Sequence, residues 1–148
     1  MTAAAAAGYV DGNDMARRNS EQAANHETVF AALNASRKPM TAYDLLARLK
    51  TKGITAPTTV YRALERLLGE GRVHRLESLN AFIACECADK SHTAMFSICA
   101  DCGQAEEIAS AKLQDDLMAL ARRSGFKLSH SVVELHGRCK SCAAEAKH

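Results

Sequence analysis

The sequence predicts an α+β fold in two parts, a helical N-terminal domain closed by a β-hairpin and a small C-terminal α/β unit. Three observations predict it. Apolar residues recur at helical period in three stretches before Gly71. Two short alternating runs follow, joined by a polar turn. In the second half, two Cys-x-x-Cys pairs, Cys99/Cys102 and Cys139/Cys142, bracket a fourth helical pattern.

Between Ser20 and Ala35, Ala23, Val29, Phe30 and Leu33 mark an amphipathic helix, which Arg37-Lys38-Pro39 breaks. Thr41 suits the N-cap of a second helix carrying Tyr43, Leu45, Leu46 and Leu49, with Gly53 ending it. Pro57 sits where a first-turn proline belongs, opening a third helix through Val60, Leu64, Leu67 and Leu68 that Gly69 and Gly71 close. Val73–Glu77 and Ala81–Cys85 alternate as two strands joined by Ser78-Leu79-Asn80. Three helices and a hairpin, with a short turn between the second and third helices, is the order of a winged helix-turn-helix.

Beyond a linker at Glu86–Ser91, His92–Cys99 and Gln104–Ile108 read as strands on either side of the first cysteine turn. Leu113, Leu117, Leu120 and Ala121 give a helix over Ala111–Arg123 ended by Gly125, and Leu128–His136 alternates as a strand. This ββαβ unit of about 55 residues is too small to bury a large core alone. A structural metal and dimerisation are the usual remedies. The division expected is a disordered tail at 1–18, a winged-helix domain at 19–85, a hinge at 86–92 and the C-terminal domain at 93–148.

The four paired cysteines have the number and spacing of a closed tetrahedral zinc site. Each pair offers two thiolates from one tight turn, and Gly103 follows the first pair where a positive φ is needed. A complete Cys₄ shell has no open position, so the site is structural rather than catalytic. Two disulfides or a dithiol redox centre are the alternatives, and neither calls for two identical pairs. A zinc nucleobase deaminase would carry H-x-E and P-C-x-x-C; here His92 precedes Thr93-Ala94 and no proline precedes either pair. The function is therefore expected elsewhere, and not in an enzyme.

Apolar content of 47% and charged content of 24% are globular values, and only 5% of residues are aromatic, so the cores rest on Leu, Ala, Val and Ile. No apolar run approaches the ~20 residues of a membrane span. The Ala-rich Met1–Val10 stretch lacks the basic segment of a secretory signal. Together with a thiolate site, this predicts a reducing cytoplasm and no membrane partner. The charge is uneven: Pro39 to Arg75 holds seven basic residues against three acidic. That stretch is a modest electrostatic footprint for nucleic acid. The third helix would be the recognition helix, with Thr58, Thr59, Tyr61 and Arg62 in its first turns. Arg62 is the residue suited to bidentate contact with guanine, and Tyr43 could add a base or phosphate contact. The plainer alternatives are a surface ion pair for Arg62 and a half-buried core position for Tyr43.

The other candidate ligands gather around the linker. His74, Cys85, His92 and Glu107 could form a Cys/His/His/Glu tetrahedron drawn from both domains, a set that suits zinc better than manganese or magnesium. Spacing alone leaves open the alternatives of ordinary surface histidines and a buried thiol.

The run Thr59-Val60-Tyr61-Arg62-Ala63-Leu64, then Leu67-Leu68, Gly71, His92-Thr93-Ala94-Met95-Phe96, Cys99-x-x-Cys102-Gly103 and His136-Gly137-Arg138-Cys139-x-x-Cys142, resembles the ferric uptake regulator family. The details look most like its zinc-sensing branch, and the resemblance covers roughly Glu27 to Cys142. It implies an N-terminal winged-helix domain, a hinge, a C-terminal dimerisation domain and a dimeric, metal-responsive transcription regulator. By that likeness, His74, Cys85, His92 and Glu107 are regulatory zinc ligands and the four paired cysteines hold a structural zinc, giving two Zn²⁺ per subunit. Arg62 and Tyr43 match positions that read operator bases. The expected activity is zinc-responsive repression of zinc-uptake genes by a homodimer on double-stranded operator DNA, an A·T-rich palindrome. Sensing of iron, manganese or peroxide is the alternative within the family. His92 is followed by Thr93, not by a second clustered histidine, so neither His130 nor His136 is assigned to a further site. Cys87 lies two residues beyond Cys85 and could replace it; Cys85 is preferred because it matches the motif.

Overall fold

The structure, a computed structural model, describes residues 12–85 and 93–145. The hinge at 86–92, with Cys87 and His92, lies outside the described residues, as do residues 1–11. The chain order is α1 (Gly12–Ala35), α2 (Ala42–Leu49) with a 3₁₀ turn at Lys50–Lys52, α3 (Pro57–Gly69), β1 (Val73–Leu76) and β2 (Ala81–Ala84). The second half holds β3 (Ala94–Cys99), β4 (Ala105–Glu107), α4 (Ala111–Arg123), β5 (Val132–Gly137) and α5 (Lys140–Glu145).

The N-terminal domain is a winged helix-turn-helix. Thr41 caps α2 through a capping box: its hydroxyl accepts the Asp44 N–H at 3.1 Å, and the Asp44 carboxylate accepts the Thr41 N–H at 3.0 Å. Gly53, at φ +86°, ends the 3₁₀ turn in the left-handed region that favours glycine. Pro57 opens α3 as expected. Val29, Leu33, Leu45, Leu49, Val60, Leu64, Leu67 and Val73 are wholly enclosed and form the core of this half. Each such side chain contributes about 1.5–3 kcal/mol by leaving water.

Two expectations need correction here. The first helix begins at Gly12, not Ser20, so residues 12–18, expected as disordered tail, are helical. That extension is exposed throughout and carries no apolar stripe, so periodicity cannot reveal it; an Arg18–Asp14 pair at 2.9 Å lies along it, an i,i+4 spacing. Ala23 is exposed, and the buried face is instead His26, Val29, Ala32 and Leu33.

The C-terminal half is a three-stranded sheet in the order β4–β3–β5, with β4 antiparallel and β5 parallel to β3. The expected strands are shortened, to Ala94–Cys99, Ala105–Glu107 and Val132–Gly137, while α4 keeps its expected bounds. The α5 helix is an addition. None of the α4 residues is buried in the single chain. A second apolar cluster joins the halves: Leu76 and Ile83 of the hairpin pack with Ala94, Phe96 and Ile98 of β3. The wing is thus the joint between the two parts.

Candidate metal centres and nucleic-acid face

Parallel pairing of β3 with β5 carries both strands to the same end of the sheet, with Cys99 opposite Gly137. Each strand runs on into a cysteine turn, so the two turns meet. The Ala100 N–H donates to the Gly137 carbonyl at 2.8 Å, and the Gly103 N–H closes the first turn on the Cys99 carbonyl at 3.0 Å. Gly103 takes φ +71°, as the sequence leads one to expect. Cys99, Cys102, Cys139 and Cys142 place one sulfur each within 4.8 Å of one another, with the Cys102 and Cys139 sulfurs 3.9 Å apart. The five described cysteines are free thiols, so neither pair forms a disulfide.

The electrostatics of this cluster suit a cation. The Cys99 sulfur accepts backbone N–H groups of Cys102 and Cys139, which pull its pKa down to about 6. The Cys142 thiol, hydrogen-bonded to the Cys139 sulfur and also raised by burial, is pushed up to about 12. Four sulfurs this close cannot all ionise unaided; a divalent ion would supply the balancing charge, and soft thiolates in a closed set of four fit zinc.

The second cluster spans the joint. His74 on β1, Cys85 just past β2 and Glu107 at the end of β4 also place one donor atom each within 4.8 Å of one another. Glu107 Oε1 lies 3.9 Å from the Cys85 sulfur and 4.0 Å from His74 Nε2. Both the His74 and Glu107 side chains are mostly enclosed, at 16% and 14% exposed. The edge of the His74 ring meets Phe96, centroids 5.6 Å apart. The Cys85 N–H donates to the Arg72 carbonyl at 2.8 Å, which extends the hairpin ladder to that residue. Two donors thus come from the wing and one from the C-terminal sheet. The fourth expected ligand, His92, is outside the described residues; its neighbour Thr93 is buried and bonded to the Ser131 hydroxyl at 2.9 Å.

On α3, burial of Val60, Ala63, Leu64 and Leu67 turns the other face outward. Thr58, Tyr61 and Arg62 are exposed there and Thr59 is half-buried. Among the described residues Arg62 makes no ion pair, while Arg66 one turn on is engaged with Glu70 at 3.0 Å. Arg62 borders a shallow hollow shared with Gln22, Asn25 and Thr59. Tyr43 is 73% exposed, so it is not a core residue. These side chains form a cationic and hydroxyl-bearing surface able to meet phosphates and base edges.

Sequence reasoning missed two features. Buried His26 lies 2.9 Å from Glu70, and Arg72 grips Glu27 at 2.6 and 3.1 Å while stacking 3.9 Å over Phe30. Arg72 holds the Glu27 carboxyl below its usual range. The other is Glu134, which reaches from β5 to the wing turn. Neither leaves a spacing signal, because the partners are far apart in the chain.

The chain resembles known proteins in sequence and in fold. A ferric uptake regulator family model matches residues 18–136. The zinc uptake regulation protein of Escherichia coli (strain K12) is 37% identical over 129 residues, 86% of this chain and 75% of that protein. The crystal structure of holo XcZur superposes with a TM-score of 0.74 at 38% identity, covering 81% of this chain and 84% of its own. A zinc uptake regulator complexed with zinc and DNA superposes with a TM-score of 0.79 at 29% identity, covering 95% and 100%.

Proposed function

The chain belongs to the ferric uptake regulator family, and from that premise we propose that it is a zinc-responsive, DNA-binding transcriptional repressor of zinc-uptake genes. The observation that carries this reading is the cluster of His74, Cys85 and Glu107, two donors on the wing and one on the C-terminal sheet. His74, Cys85 and Glu107, with His92, hold the regulatory zinc; Cys99, Cys102, Cys139 and Cys142 hold a structural one, two per subunit. The Cys85 thiolate favours zinc over iron or manganese at the sensing position.

The chemistry a bound zinc supplies is a set of strong bonds across the joint, which favour domain angles that bring its ligands together. The residues then do the rest. The wing, fixed on β3, sets the direction in which α3 presents Arg62, Thr58, Thr59 and Tyr61, with Tyr43 beside it, to a major groove. In a homodimer two recognition helices must match successive grooves about 34 Å apart or a multiple of it. A conformation that brings the ligands together and also fits the operator is favoured by both, so zinc and DNA strengthen each other's binding by the same factor.

Support for a homodimer comes from the uncovered apolar side chains of the C-terminal domain. Leu120, Phe126 and Leu135 are 58%, 63% and 54% exposed. A domain this small cannot bury them itself, and a second copy would. We assign DNA binding to the part ending at residue 85, the hinge to 86–92 and dimerisation to 93–148, with an A·T-rich palindrome as operator. No helix among the described residues is long and apolar enough to cross a membrane; the site of action proposed is the cytoplasm.

The test is operator binding, by anisotropy, across buffered free zinc, for the wild type and Cys85→Ser at two salt concentrations. Zinc-dependent binding that is lost in the variant supports the reading. Wild-type behaviour in both Cys85→Ser and the double variant Cys85→Ser/Cys87→Ser overturns the ligand assignment.

A further inference from the structure

Three residues cross the C-terminal sheet in one row: Glu107 pairs with Phe96, and Phe96 pairs with Glu134. Paired neighbours in a sheet share a face, and here that face carries the wing. Phe96 is fully enclosed against the His74 ring and packs with Leu76 and Ile83. To one side of it, Glu107 meets His74 and Cys85. To the other, Glu134 accepts the Glu77 N–H at 2.7 Å and the Ser78 N–H at 3.3 Å in the hairpin turn.

Glu134 is well placed to hold. Its side chain is 13% exposed, and His136 Nε2 lies 3.4 Å from Oε2, the oxygen that also accepts the Ser78 N–H. Burial pushes its carboxyl up, but hydrogen bonds from Ser78 and the Glu77 backbone outweigh this and keep it below the usual range. It is therefore an anion, and its bonds to the turn are charge-assisted. His74 and Glu77 are three residues apart, ~10 Å along a strand. The wing is gripped at two separated points with Phe96 between them. Held at one point, a hairpin can swivel on the apolar patch; held at two, it cannot.

We propose that Glu134 is a metal-independent anchor of the wing, a positioning residue that keeps His74 and Cys85 opposite Glu107 before zinc arrives. The inference rests on the zinc-bridging reading above. Apparent affinity for an ion scales with the fraction of protein already in the competent arrangement. Loss of the anchor lowers that fraction, so more zinc is needed; at saturation the assembled form still prevails and DNA binding is unchanged.

The experiment uses the full chain with its four-cysteine zinc in place and the tightest duplex selected from a random library. Wild type, E134A, E134Q and C85S are titrated with buffered zinc, alongside circular dichroism and zinc counting. For E134A the free zinc giving half-maximal DNA binding rises about tenfold, equivalent to roughly 1.4 kcal/mol; zinc count and saturated DNA affinity stay at wild-type values. For E134Q, whose amide oxygen still accepts but carries no charge, the rise is about threefold. A lowered melting temperature with an unmoved zinc midpoint overturns the anchor and leaves a merely structural role. Should E134A not fold, the isosteric E134Q decides: a wild-type midpoint in that variant overturns the proposal. If C85S loses its zinc response while both Glu134 variants keep the wild-type midpoint, the anchor alone falls. If C85S and the double variant C85S/C87S, titrated alongside, both keep the response, the parent reading falls with it.

Discussion

The proposed bridging of two domains by one ion makes a demand that a double-mutant cycle can check. His74 and Glu107 sit on different domains, 4.0 Å apart in a mostly enclosed pocket. If each acts only through a shared zinc, removing either abolishes the link, and removing both costs no more. The link is worth the coupling between zinc and DNA, about 1–3 kcal/mol or 5–150-fold in operator affinity. His74→Ala and Glu107→Ala should therefore each weaken zinc-saturated operator binding by a factor in that range, to the level of the zinc-free protein. The double variant should match the singles. Independent contributions would multiply instead, so two tenfold losses would become about a hundredfold loss. Anisotropy at buffered zinc gives the affinities, and native mass spectrometry should show zinc per chain falling from two to one in each variant. Multiplying losses, or a single variant that keeps full zinc-dependent binding, would refute the shared-ion argument.

Cys139→Ser should remove the four-cysteine zinc and unfold or monomerise the C-terminal domain, because structural zinc contributes folding free energy directly; circular dichroism and light scattering read this, and strong chelation of the wild type should mimic it. Arg62→Ala should cost about 1–3 kcal/mol of operator affinity and relax selectivity at one base pair, whereas a uniform weakening across sequences, with the salt slope reduced by about one, would indicate a phosphate contact. Thr41→Ala removes the hydroxyl that accepts the Asp44 N–H and should lower stability by ~1 kcal/mol in denaturant melts. The Asp44 carboxyl is held below its ordinary range by the Thr41 hydroxyl and then by its backbone N–H. Its contribution is present at neutral pH and lost as pH falls through the folded-state value, so Asp44→Asn should flatten that part of the acid-stability profile.

What was legible in the chain follows from the range of each interaction. The ends of α2 and α3 could be read from Thr41, Gly53 and Pro57, since capping and turn chemistry act over a few residues. The α4 bounds followed from the spacing of Leu113, Leu117, Leu120 and Ala121 and from Gly125, which takes a left-handed conformation; the Ser110 cap became visible only in the structure. The polar first turns of α1 escaped notice because an exposed helix carries no apolar period. Glu134 escaped because its partners, Glu77 and Ser78, lie in another domain.

The sequence by itself determined the inventory: four cysteines in two turns, a thiol and two imidazoles around a linker, an arginine in the first turns of a recognition helix. It also determined the local elements that display them, because helix period, caps and alternation are short-range properties. Only the tertiary structure decided which of these meet. Parallel docking of β5 on β3 brings the cysteine turns together. Packing of the wing on Phe96 carries His74 and Cys85 to Glu107 and the turn to Glu134. Such meetings depend on long loops closing and apolar faces matching across domains, and neither leaves a periodic trace in the order of the residues.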